Sequence, residues 1–137
     1  MRCYKLNDYD KMNYWIEVSE YDLEPAKAML NTKRYLYVGY MCHQTIEKML
    51  KAVYVRNIKQ IPPYIHNLKK LSELSEISSL FSEEQIVILS ILEPLNIEGR
   101  YPMVKDQIIK MLSEKRCKDL IKNTEELMLW IKNKLKN

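Results

Sequence analysis

Near the C-terminus, Cys117, Leu120, Ile121, Thr124, Leu127, Met128, Ile131 and Leu135 recur at spacings of three and four, with lysine, glutamate and asparagine between them. At about 3.6 residues per turn these positions form one stripe of a helix, and a helix with a single apolar stripe must bury it against another element. Ser113 is placed to cap its start, and Lys132, Lys134 and Lys136 suit the negative end of the helix dipole. This segment can be stable only inside a layered helical packing.

The same rhythm fills most of the chain. Trp15, Val18, Asp22, Leu23, Ala26, Met29 and Leu30 predict a first helix from about residue 8–10 to Leu30, with Pro25 predicting a kink or a break. Asn31 and Thr32 close it, and Thr32 is expected to cap a second helix running to Val55 or Arg56. Pro62 and Pro63 force a connector, since consecutive prolines cannot continue a helix. A third helix follows His66, with Leu68, Leu71, Leu74 and Ile77 on one side. Ser82 and Gln85 form a capping box that opens a fourth, which must end near Glu93, before Pro94. Residues 96–104 read as irregular and 105–111 as a short helical turn. The expectation is an all-α, up-and-down four-helix bundle with one short extra helix, in a single domain spanning 1–137. Only two glycines occur, so no phosphate-binding glycine loop and no dinucleotide fingerprint can be built.

Charge and cysteine usage narrow the function further. The net charge of +4 (22 basic against 18 acidic residues) is mild and compatible with RNA or nucleotides without demanding them. Cys3, Cys42 and Cys117 are isolated and lack metal-ligand spacing. They fit a reducing cytoplasm, and Cys42 and Cys117 read as small hydrophobes. No metal and no cofactor is expected. No signal peptide or membrane-length apolar run is present, which predicts a cytoplasmic protein with no membrane partner.

The second helix carries two distinct faces. At about 100° per residue, Tyr37, Tyr40, Gln44, Glu47, Lys48 and Lys51 share a polar stripe, while Tyr35, Val38, Cys42, Ile46, Met49, Leu50 and Val53 lie opposite. A solvated face with a Glu47–Lys51 pair would explain the charges, but tyrosines ordered along the stripe favour a contact surface. His43 lies off its centre and reads as a surface or packed histidine. Two readings of His66 stand: a residue bonded to local backbone at a helix start, or a functional side chain. Arg100-Tyr101-Pro102 lies in the long irregular segment, where Arg100 could offer a guanidinium fork for phosphate and Tyr101 a plane for a base. Arg100 could equally pair with a nearby carboxylate in a packed turn.

Taken in order, these elements resemble the HEPN domain family. The matching pieces are Tyr21-Asp22-Leu23 with Ala26, Cys42-His43-Gln44 with Glu47-Lys48 and Leu50-Lys51-Ala52, His66-Asn67-Leu68 after the prolines, and Arg100-Tyr101-Pro102. The resemblance implies a homodimeric helical bundle, often paired with a minimal nucleotidyltransferase in a toxin–antitoxin-like system. It also implies a nucleotide or RNA ligand. Many members cut RNA without a metal, using an arginine followed four to six residues later by histidine; here no histidine follows Arg100, because His66 is the last in the chain. The expectation is therefore a non-catalytic binding module, with Gln44, Lys48, Lys51, His66, Arg100 and Tyr101 lining the site and Tyr37 and Tyr40 at the dimer interface. The alternatives are a divergent HEPN ribonuclease toxin and a purely structural homodimerisation module.

Overall fold

A computed structural model describes residues 6–98 and 101–136. Among them the secondary structure is entirely helical: α1 (Asp8–Asn31), α2 (Tyr35–Ile58), α3 (Leu68–Leu74), α4 (Glu83–Leu92), α5 (Pro102–Met111) and α6 (Glu114–Lys136). Two single 3₁₀ turns, Ser78–Leu80 and Glu93–Leu95, sit before and after α4. The three long helices α1, α2 and α6 form the body of the bundle, and α2 also touches α3, α4, α5 and the 3₁₀ turn after α4.

Most local signals act as their chemistry requires. Ser82 and Gln85 make both halves of the capping box, and Ser113 Oγ accepts from the Arg116 N–H at the start of α6. The apolar stripe of α6 is buried along its whole length. Pro25 lies inside α1, which continues as one helix to Asn31, so the break, one of the two expected outcomes, does not occur. Two expectations change. Thr32 does not cap α2, because its hydroxyl turns back to the carbonyls of Ala28 and Met29 and closes α1 instead. The short helix α5 starts three residues earlier than the pattern suggests, at Pro102, where a missing N–H and a fixed φ suit the first turn.

The larger change concerns α2. The six consecutive residues Cys42, His43, Gln44, Thr45, Ile46 and Glu47 are all buried, and so are Lys51 and Ala52. Six consecutive positions point in every direction around a helix, so α2 is the central helix and has no solvent face over this stretch. From Gln44 to Lys51 the polar stripe expected at the surface is an internal polar seam, while Tyr37 at its start stays exposed.

Candidate functional site

The centre of the seam is Glu47, whose side chain is fully buried. A buried carboxylate must be paired, and Glu47 has three partners. His66 Nδ1 lies 2.7 Å from Oε1, and the ammonium groups of Lys48 and Lys51 each lie 3.2 Å from Oε2. Burial acts to raise its pKa, but the bond from His66 and the two lysine charges outweigh that and hold it below the usual carboxylate value. Glu47 is therefore an ionised acceptor at neutral pH.

Local chemistry brings His66 to this point. The connector after α2 turns at Pro62 and Pro63, where the Ile65 N–H bonds the Pro63 carbonyl. Asn67 then caps α3 by accepting from the Lys70 N–H, and Glu93 accepts from the Leu68 N–H. These bonds fix the backbone on the C-terminal side of His66 and set its ring over Glu47, nineteen residues away in sequence. The far side of the ring is open: Nε2 lies 4.0 Å from Glu98 Oε2, beyond hydrogen-bond reach. Tyr64 stands edge-on to the imidazole at 4.9 Å between centroids.

Other elements close the seam. Lys48 also donates to Gln44 Oε1 at 2.9 Å, while Gln44 Nε2 has no hydrogen-bond partner among the described residues. Lys51 lies over the Trp15 and Tyr64 rings at 5.5 and 5.8 Å, a cation–π arrangement that supports a nearly buried ammonium. Asp22 on α1 is only partly exposed; burial raises its pKa, Lys48 lowers it and Glu47 raises it again, for a net rise. The Tyr40 phenol is held neutral by burial and then by the negative charges of Glu98, Glu47 and Asp22, so it belongs electrostatically to this cluster.

Of the residues expected to line a site, Gln44, Lys48, Lys51 and His66 converge around Glu47. Lys51 is a supporting residue there, because its ammonium is nearly inaccessible. Tyr101 is 80% exposed, and no hydrogen bond or ring contact among the described residues ties it to the cluster. Arg100 lies outside the described residues. Tyr37 remains exposed at the start of α2. The site also uses Trp15, Asp22, Tyr64 and Glu98, which the sequence did not single out as site residues. Asp22 carried a usable signal, an acid on the otherwise apolar stripe of α1, whereas Glu98 had none. Two apolar grooves lie elsewhere, one of about 430 Å³ between α4, α5 and α6 and one of about 370 Å³ between α3 and α4, and neither is lined by any residue of the cluster.

Among the described residues no group of three or more histidine, cysteine and acidic side chains is arranged to hold a metal ion, and no helix is long and apolar enough to cross a membrane. Cys42 and Cys117 are buried, and burial pushes their thiols up to about 12 and about 11, so both are inert at neutral pH.

The HEPN domain family matches residues 12–134 of the chain. The crystal structure of TT1696 from Thermus thermophilus is similar in fold, with a TM-score of 0.75 at 16% identity, over 90% of this chain and 98% of that one. No curated protein matches.

Proposed function

We propose a function for this chain from its family: it belongs to the HEPN domain family. The family supports a nucleotide- or RNA-related module, and this chain reads as a binding module whose ligand enters beside His66 and Lys48. It is the non-catalytic partner of a minimal nucleotidyltransferase in a toxin–antitoxin-like pair, and it acts as a homodimer with Tyr37 and Tyr40 on the interface.

The observation that carries this reading is the polar seam around Glu47. A bundle gains nothing from burying Glu47, Lys51 and His43 in place of leucines, since well-packed apolar residues of similar volume are as stable or more so. Such groups persist where they position others. Here Glu47 holds the two accessible members, Lys48 with its side chain 20% exposed and His66 with 28%, at the rim of the seam. Lys48 has one N–H left after Gln44 and Glu47, enough for one phosphate oxygen. Tyr64, 81% exposed, offers a plane for a base.

Isothermal titration of the pure protein with AMP, ADP, ATP, GTP and a short single-stranded RNA tests this. Binding of at least one ligand is expected, weakened by Lys48→Ala and by His66→Ala while the helical circular dichroism is kept. If no ligand binds and no nucleotidyltransferase co-purifies from native cells, the reading fails. Cleavage of the RNA by the pure protein would favour the ribonuclease alternative.

A further inference from the structure

The open side of His66 specifies which part of a ligand it can meet. Glu47 is buried and ionised, and an ionised carboxylate can only accept, so the 2.7 Å contact requires the proton on Nδ1. With that one proton on the ring, Nε2 is a lone-pair acceptor, and no group bonds it among the described residues. The nearest charged group, Glu98 Oε2 at 4.0 Å, is a second acceptor. Two acceptors at that separation cannot satisfy each other and would repel a phosphate. They suit a ligand that brings two adjacent donors.

We infer that His66 Nε2 and Glu98 together recognise the 2′,3′-diol of a ribose, so that the site selects ribonucleotides over deoxyribonucleotides. Adjacent hydroxyls on one sugar can each donate to one of the two acceptors, as carboxylates at nucleotide sites commonly accept from a ribose hydroxyl. The sugar then lies against the His66–Glu98 gap, the base is within reach of the exposed Tyr64 ring, and the phosphate is left to Lys48. Glu47 acts as a positioning residue, since it sets the tautomer of His66 without touching the sugar. The inference rests on the nucleotide reading above and adds the sugar specificity.

Calorimetric affinities for AMP, 2′-deoxy-AMP and 3′-deoxy-AMP test it. Each deoxy analogue leaves one acceptor unpaired and is expected to bind about tenfold more weakly than AMP. Glu98→Ala, at an exposed position that the fold does not need, is expected to remove most of the gap for at least one of the two analogues. Glu47→Gln offers Nδ1 an amide donor, moves the ring proton to Nε2 and is expected to collapse the discrimination as well; if it fails to fold, Glu98→Ala still decides. Equal affinity for AMP and both analogues overturns the inference and leaves the nucleotide reading intact. Binding of none of the three, or of any other nucleotide or RNA, overturns both. The diol could belong to a free nucleotide or to an RNA 3′ end. Oligoadenylate with a free diol binding more tightly than AMP, and losing affinity when a 3′-phosphate replaces the diol, assigns the RNA end. AMP binding as tightly as the oligomer assigns the free nucleotide. An oligomer indifferent to the 3′-phosphate while AMP fails to bind overturns the diol.

Discussion

His43 makes the stability of this fold depend on pH. Its ring is buried, neither nitrogen has a hydrogen-bond partner among the described residues, and Nδ1 lies 4.0 Å from Glu47 Oε1. Burial pushes its pKa down to about 4. The unfolded chain takes up the same proton near the ordinary value of about 6.5. Between these limits the unfolded state binds a proton that the native state refuses, so stability is complete above about pH 6.5 and falls as the pH drops to about 4, by roughly 3 kcal/mol. Glu47, with a lowered native pKa, acts in the same direction at lower pH, its contribution vanishing as the pH falls through that value. Asp22, whose native pKa is raised, opposes it: its contribution is present at low pH and is lost as the pH rises. Urea unfolding from pH 7.5 down to pH 4 should show the fall, and His43→Leu should remove most of it while changing stability at neutral pH by only about 1–2 kcal/mol. An unchanged slope in His43→Leu would assign the effect elsewhere.

At the level of the elements, three of the described positions adopt a backbone that favours glycine while carrying side chains. Lys33, Lys59 and Glu76 all have left-handed φ, at 59°, 61° and 67°, and Lys59 is the residue that closes α2. A side chain there costs about 1 kcal/mol relative to glycine, partly offset by the greater freedom of glycine in the unfolded chain. Lys59→Gly is therefore expected to raise the denaturation midpoint by an amount equivalent to roughly 0.5 kcal/mol; a fall would mean that the lysine side chain makes a compensating contact. Gly39 instead sits inside α2, where an added Cβ would lie 3.2 Å from Leu95 Cδ1. It serves the close approach of α2 to the 3₁₀ turn after α4. The start of α4 was legible because a capping box is satisfied within four residues. The start of α2 was not, because Thr32 had two possible neighbours and the α1 carbonyls took its hydroxyl.

At the scale of the whole molecule, part of the aromatic and apolar surface stays uncovered in the single chain. Tyr37 is 48% exposed, and Ile86, Val87 and Ile91 are exposed on α4. Sedimentation equilibrium is expected to give twice the monomer mass, and Tyr37→Asp to shift the protein to monomer with its helical circular dichroism kept. A wild-type monomer would remove the dimer, and a Tyr37→Asp dimer would place the interface on another face such as that of α4. Between α1 and α6, the pairs Lys27–Glu125 at 3.0 Å and Lys132–Glu20 at 2.9 Å are partly solvated, and each contributes at most about 1 kcal/mol. The bundle is held chiefly by its single apolar core.

Sequence alone was enough to establish that this chain is helical, where most helices begin and end, and which stripe of α6 is buried. Those features arise from interactions within a few residues, and a 3.6-residue period records them directly. How many neighbours each helix has was set by the packing of the whole chain. The α2 stripe of Gln44, Glu47, Lys48 and Lys51 reads as a surface because periodicity separates two faces of a helix but cannot show that both are covered. Once α1, α6 and the shorter helices surround α2, Glu47 can no longer be solvated. It must then recruit His66 from across the connector, together with the two lysines one and four residues along its own helix. That enforced pairing, a consequence of burial rather than of spacing, turns a charged stripe into an organised site.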